Sequence, residues 1–548
     1  MEGSMVLSEL LQLTLRDDKG DFAKTLFNDP QYMEQVKNCS WDLIPIVTGY
    51  LNEETRKNNV ELFKCCQYLL HFIAENSNSE EALLQFISEI EESKDDTKFV
   101  ALLQPLYQII SCLPQKKVNS FAWSFNAIQT YLTQCKVPDY EGLKDKERLL
   151  LDHSDDVIHI SHLYREVLLF YDKIVDLIPL ESNGELKKVL SKFLIQLLGV
   201  PHCYLNINVY DNIKTEGLEL AENIVNKIFT TLRDPLVLSE MLLDNNYEDF
   251  TKPSTLSIAN LFYLIFCEHL HLHSVPQVYS NRYLFYSSTH LLCALLSHKN
   301  NILIEKALKL SETFLERLQN DNVPYFLLEC EEQSQFCKLL CNVIMYNSVE
   351  SIRKTGLGVL EMYLAIFETK GHYLITWNLL NILNHSGLKG YLITVFKNKL
   401  NQAMENGQIS EYTGPNLFKI LTVFCRLNDK EETDLMENSD QIISALNFLR
   451  YLALKDKNNT TKFWDFSTKL HSIFLEPLRK GLELSKAHYE LEIKNVDQQK
   501  PNTQVSVTVQ GQYLEQMDKT EKLRVLQQSL TAFDVMSSLL SRVTELLE

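Results

Sequence analysis

SNGELKKVLSKFLIQLLG, residues 182–199, sets the pattern for the whole chain. Ser182 and Glu185 stand at capping-box spacing, three residues apart, just before an apolar run. Leu186, Val189, Leu190, Phe193, Leu194, Leu197 and Leu198 then recur with the helical period. They fall on one side of an α-helix, and that side has to be buried. Gly199 suits the left-handed position that ends a helix, and Pro201 stops the helix from continuing.

Working outward, the same logic repeats. Leu218, Ala221, Val225, Ile228 and Leu232 mark the next helix. At the C-terminal end, Asp518 and Glu521 are placed to cap a helix carrying the stripe Leu523, Leu526, Leu530, Phe533, Met536, Leu540, Val543 and Leu547. A stripe spaced alternately three and four residues can be a coiled-coil seam. A last helix packing on its predecessors fits better, because the stripe covers barely four heptads. The run QVSVTV, within 496–512, has period two and reads as a short extended segment near 504–510 packed against a helix. Helices joined by short polar connections over 500 residues predict stacked helical hairpins. No strict repeat of about 34 or 40 residues occurs. The expected fold is therefore all-α, an irregular HEAT- or armadillo-like solenoid in two stacks. The acidic segment DNNYEDFTKPST (244–255) divides it into an N-terminal stack, 1–245, and a C-terminal stack, 256–548.

Composition agrees. The 548 residues include only 16 Gly and 14 Pro, about half the usual share, which disfavours the phosphate loops, tight β-turns and mobile lids of many enzymes. The net charge of −19 argues against general nucleic-acid binding. That charge is uneven: residues 370–500 hold 17 Lys and Arg against 15 Asp and Glu. The 12 cysteines lie mostly in apolar helical settings with no C-x-x-C pair, as in a reducing compartment. MEGSMVLSELLQL lacks the basic start of a signal peptide, and no run of about 18 apolar residues would span a membrane. The expected location is the cytosol, with nuclear access left open.

No Walker A, Rossmann, kinase, G-x-S-x-G or H-E-x-x-H pattern occurs. The nearest approach to a metal site is Cys267, His269, His271 and His273. If helical, Cys267 with His271 and His269 with His273 would each chelate zinc, but from different faces. A helix end with histidines near its C-terminal dipole before Pro276 is the better reading, so neither metal nor cofactor is expected. Cys330, Cys337 and Cys341 read as a buried apolar seam. The acidic runs at Glu80-Glu81, Glu89 to Glu92 and Asp95-Asp96 read as solvated faces. What remains is binding. Residues 384–495 combine basic, aromatic and His side chains in FKNKL (396–400), ALNFLRYLALKDK (445–457) and LEPLRKGLELSKAHYELEIKN (475–495), the types enriched at interface hot spots.

In the same region TGPNLFKIL (413–421), ETDLMENSDQIISALNFLRYLALKD (432–456), FLEPLRKGLELSKAHYELEIKN (474–495) and LRVLQQSLTAFDVMSSLLSRVTELLE (523–548) resemble the glomulin family. NHSG (384–387) and HLHSVP (271–276) fit it too. The likeness is dense over 350–548 and thins toward the N-terminus. It implies a HEAT-like inhibitor of cullin–RING ubiquitin ligases, not an enzyme. The C-terminal stack would bind the RING of the Rbx subunit, with the cullin in the same complex, and block docking of the ubiquitin-conjugating enzyme. It also implies an association with an FK506-binding immunophilin. Within the matching blocks, Lys397, Lys399, Arg450, Lys455, Arg479, Lys486, His488, Tyr489 and Lys494 are the expected RING contacts. The chain is expected to be monomeric alone. The other reading is a non-enzymatic helical-repeat adaptor or scaffold for another complex.

Overall fold

Short polar side chains start the helices. Asn52, Asn59 and Asp95 each accept a backbone N–H two or three residues ahead, at 2.8, 3.1 and 2.8 Å, satisfying donors that the first turn leaves open. The computed structural model describes residues 7–113, 118–143, 145–177, 184–207, 209–210, 213–232, 236, 252–319, 321–498, 507–509, 512–514 and 519–548. They form two compact units, Met1–Phe314 and Leu315–Glu548.

The first unit contains α1 (Leu7–Arg16), α2 (Gly20–Asn28), α3 (Met33–Asn38), α4 (Ser40–Thr48), α5 (Glu53–Asn58), α6 (Val60–Asn76), α7 (Ser79–Glu91), α8 (Asp96–Cys112), α9 (Val118–Thr133), α10 (Asp145–Leu151), α11 (Asp155–Asp176), α12 (Gly184–Leu197), α13 (Glu216–Thr231), α14 (Thr255–Phe266) and α15 (Asn281–Leu296). Two layers emerge from the packing. In one, α2, α6, α8, α11 and α13 lie side by side in that order; in the other, α1, α4, α7, α9, α12 and α14 do so. Each helix touches its predecessor and successor in its own layer, and the layers meet through pairs such as α7 with α8 and α12 with α13. This is a helical-repeat solenoid. The next helix, α16 (Asn301–Leu318), carries the division between the units. Since α12 and α14 pack together, the helices on both sides of 244–255 belong to the first unit, and the packing divides at Phe314/Leu315. Most of 244–255 itself lies outside the described residues.

The stripe expected between Leu186 and Leu198 is buried along α12 and beyond. Ser182 lies outside the described residues. Gly199 does not adopt a left-handed conformation. Its role is close approach: a Cβ there would collide with Ser257 Oγ on α14. The zinc-pair geometry at Cys267–His273 does not form, because α14 stops at Phe266 and His269 and His271 have φ of 58° and 54°. His271 instead stacks on Phe229, centroids 4.9 Å apart, and hydrogen-bonds Asn226.

Nearby, a buried polar knot joins the loop after α12 to α13, α14 and α16. Asn260 Nδ2 donates to Leu198 O at 2.9 Å and His202 Nδ1 at 3.1 Å, so His202 Nε2 carries the proton given to Gly217 O. Lys306 Nζ donates to Cys203 O at 2.7 Å and Asn260 Oδ1 at 3.1 Å. Burial, reinforced by Lys306, pushes the His202 pKa down to about 3, while burial pushes Lys306 down to about 8.

The second unit contains α17 (Glu331–Tyr346), α18 (Glu350–Ala365), α19 (Thr369–Ile382), α20 (Ser386–Glu405), α21 (Gly414–Phe424), α22 (Ser439–Lys455), α23 (Ser467–Leu470), α24 (Glu476–Gln498) and α25 (Lys519–Leu547). Cys337 and Cys341 are buried on α17, whereas Cys330 just before it is exposed. At the C-terminal end α20 packs on α22, α22 on α25, and α25 on α24. The terminal stripe packs as a last solenoid helix would: Phe533, Met536, Leu540 and Val543 are buried. Asp518 lies outside the described residues. A π-helical turn, His471–Leu475, joins α23 to α24. Strands among the described residues are confined to two hairpins, β1 (Val209–Tyr210) with β2 (Ile213–Lys214) and β3 (Val507–Val509) with β4 (Gln512–Leu514). β3 falls within the segment read as extended. What it packs against lies outside the described side chains.

Candidate partner-binding surface

NHSG at 384–387 begins the surface by fixing how α20 meets α22. His385 Nδ1 accepts the Leu388 N–H at 3.1 Å, capping α20. Ser386 Oγ accepts the Gln441 N–H at 3.1 Å. One turn later Gly390 lets the helices close up, since a Cβ there would lie 2.8 Å from Asp440 O. Farther along, the two helices diverge around an open groove of about 350 Å³ lined by Ile393 and Lys397 of α20 and by Asn447, Arg450, Tyr451 and Leu454 of α22. Tyr451 is fixed by its hydroxyl donating to Asn401 Oδ1 at 2.7 Å. Leu454 is 48% exposed. Lys397 and Arg450 have no ion-pair partner among the described residues. The groove thus offers two free cations, amides and an apolar shoulder. Lys455 is exposed at the last position of α22.

Lys399 lies apart. It lines a separate polar cavity of about 250 Å³ with Thr369, Gln402 and Tyr412, and burial lowers its pKa.

The remaining expected contacts lie on α24. Gly481 lets this helix cross the turn at 430–432; a Cβ there would be 2.9 Å from Glu431 O. Three of the five residues are tied within the unit. Arg479 Nη2 donates to Thr544 Oγ1 at 3.4 Å, Lys486 pairs with Asp534 at 2.8 Å, and Tyr489 meets Phe533 edge-on at 5.2 Å. Burial and then Asp434 raise the Tyr489 pKa. His488 and Lys494 are exposed. On either side of His488 the helix shows Leu484 and Leu491, 60% and 57% exposed. Sequence reading missed both. Their signal is visible in hindsight: they stand seven residues apart in LELSKAHYELEI, out of phase with buried Leu478 and Leu482.

This surface falls within residues 283–529, which match a family model described as an uncharacterised protein family, YAP/Alf4/glomulin. Along its length the chain is 28% identical to glomulin of Mus musculus over 557 residues, covering 95% of this chain and 90% of that protein. It is 29% identical to glomulin of Homo sapiens over 540 residues, covering 94% and 88%. The likeness therefore runs through the N-terminal stack, where sequence reading found only scattered matches. The surface-bearing half thus lies inside that family's profile, and the chain is similar to glomulin almost from end to end.

Proposed function

We propose that this chain inhibits cullin–RING ubiquitin ligases by covering the RING of the Rbx subunit, which denies the ubiquitin-conjugating enzyme its docking site. The observation that carries the reading is the exposed face of α24, where Leu484 and Leu491 flank His488 and end near Lys494. Two leucines about 10 Å apart on a rigid helix suit a shallow apolar groove, and the surrounding cations set the orientation. The groove with Lys397 and Arg450 adds a second basic contact. Such a protein works by occupancy, needs no catalytic group, and acts in the compartment of its ligase, the cytosol.

The test is a ubiquitin-transfer assay with a neddylated cullin–Rbx complex and the full chain. Wild type is expected to slow transfer and to compete with the conjugating enzyme. Leu484→Asp with Leu491→Asp, and separately Lys397→Glu with Arg450→Glu, are each expected to weaken inhibition at least about tenfold. Binding that leaves conjugating-enzyme recruitment untouched would refute masking. Full inhibition by both double variants would put the contact surface elsewhere.

A further inference from the structure

The first unit carries a groove of about 770 Å³ along the layer formed by α6, α8 and α11. Its walls present apolar side chains to solvent: Val60 is 48% and Ile158 53% exposed, with Val100 and Ala101 between them. Its carboxylates fall into two classes. Glu53 and Asp96 are engaged, the first by Lys57 and Thr97, the second by Tyr131 and His159. Asp155 and Glu166 also line the groove and have no ion-pair partner among the described residues. Both are on α11, eleven residues apart, or about 16 Å along the helix. Two cations, Arg56 and Lys64, share the groove, and Lys64 is already paired with Glu61.

The surrounding field has the same sign as these free carboxylates. Residues 1–314 hold 43 acidic and 28 basic side chains, a net of −15, against −4 for the remainder. A guest would need cationic groups about three helical turns apart, with apolar side chains between them to cover Val60 and Ile158. An acidic or purely polar guest would leave the apolar wall bare or meet like charge.

We infer that the α6–α8–α11 groove is a docking site for a basic amphipathic segment of a partner protein, held by Asp155 and Glu166 over an apolar floor. The site lies in the first unit and shares no residue with the surface on α20, α22 and α24, so it offers a second partner contacts of its own.

The test uses the full chain and a fluorescein-labelled Leu/Lys amphipathic peptide of about 14 residues, long enough to span both carboxylates. Two control peptides keep its length: Leu/Glu, with the charge reversed, and Ser/Lys, with the charge kept and the apolar face removed. Fluorescence anisotropy is expected to show saturable binding of Leu/Lys, none of Leu/Glu, and at least about tenfold weaker binding of Ser/Lys. Asp155→Asn with Glu166→Gln, and separately Ile158→Ser, are expected to weaken Leu/Lys at least about tenfold. These sites are exposed or half-buried, and unchanged circular dichroism would confirm that the variants fold. Lys397→Glu with Arg450→Glu should leave this binding unchanged. Absence of Leu/Lys binding, equal binding of Ser/Lys, or undiminished binding by the groove variants would each overturn the proposal.

Discussion

At the scale of single residues, the two fully buried histidines make the protein sensitive to acid. His372 lies in the second unit with Nδ1 hydrogen-bonded to the Tyr412 hydroxyl at 3.2 Å and Nε2 unpartnered among the described residues. Burial, with a smaller push from Lys399, lowers its pKa to about 3, matching His202 in the first unit. A folded-state pKa below the unfolded value means the unfolded chain takes up a proton that the native ring refuses. Stability from each group is therefore intact above about pH 6.5 and falls as the pH drops toward 3. At pH 4.5 each histidine is expected to cost ~3 kcal/mol. Denaturant titrations at pH 7 and 4.5 measure this, and His372→Phe should remove about one proton from the uptake on unfolding; an unchanged uptake would contradict the assignment. Asp456 acts in the opposite sense at the end of α22. Burial would raise its pKa, but hydrogen bonds from the hydroxyls and N–H groups of Thr460 and Thr461 outweigh burial and hold it below the usual value. Its contribution is present above about pH 4 and is lost as the carboxylate is protonated. Asp456→Ala is expected to cost about 3 kcal/mol and to loosen the turn that seats Trp464, whose Nε1–H donates to Asp456 O at 2.8 Å. Quenching of Trp464 fluorescence by acrylamide should rise.

At the scale of elements, the position of α24 depends on a glycine. Gly481→Val would push the helix off Glu431 O, at a cost of about 1–3 kcal/mol. It should weaken RING binding by moving Leu484 and Leu491 while leaving their chemistry intact, and a calorimetric titration beside a melting curve would separate the two effects. This element also shows what the sequence made legible. Helical period alone revealed α12, α13 and α25, because an apolar stripe states directly which side of a helix is covered. Gly199 was misread because a glycine looks the same whether it serves a left-handed turn or a close crossing. The neighbour that decides, Ser257, is 58 residues away. The candidate surface was legible by residue type but not by engagement. Nothing near Lys486 in the sequence announces that Asp534 occupies its charge, whereas Lys397 and Arg450, from different helices, share one groove. Leu484 and Leu491 were lost among the leucines of the core, since exposure is a property of neighbours.

At the scale of the whole molecule, charge and packing divide the work. No described helix is long and apolar enough to cross a membrane. The net charge of −15 in residues 1–314 surrounds a groove suited to cations, while residues 315–548, with a net of −4, present the unpaired Lys397 and Arg450. In the second unit α25 is the element on which the others close: its Phe533, Met536, Leu540 and Val543 are buried where it packs on both α22 and α24. Met536→Ala is expected to cost about 2–5 kcal/mol, read from the denaturation midpoint. The same arrangement decides what a nonsense codon does. Translation that halts before residue 519 would strip the cover from α22 and α24 together and leave two greasy helix faces, the exposed surface by which quality control is expected to recognise and degrade a chain. A lesion removing only the final thirty residues would thus behave genetically as a null allele, and a protein proposed to restrain ubiquitin transfer would itself leave the cell by that route.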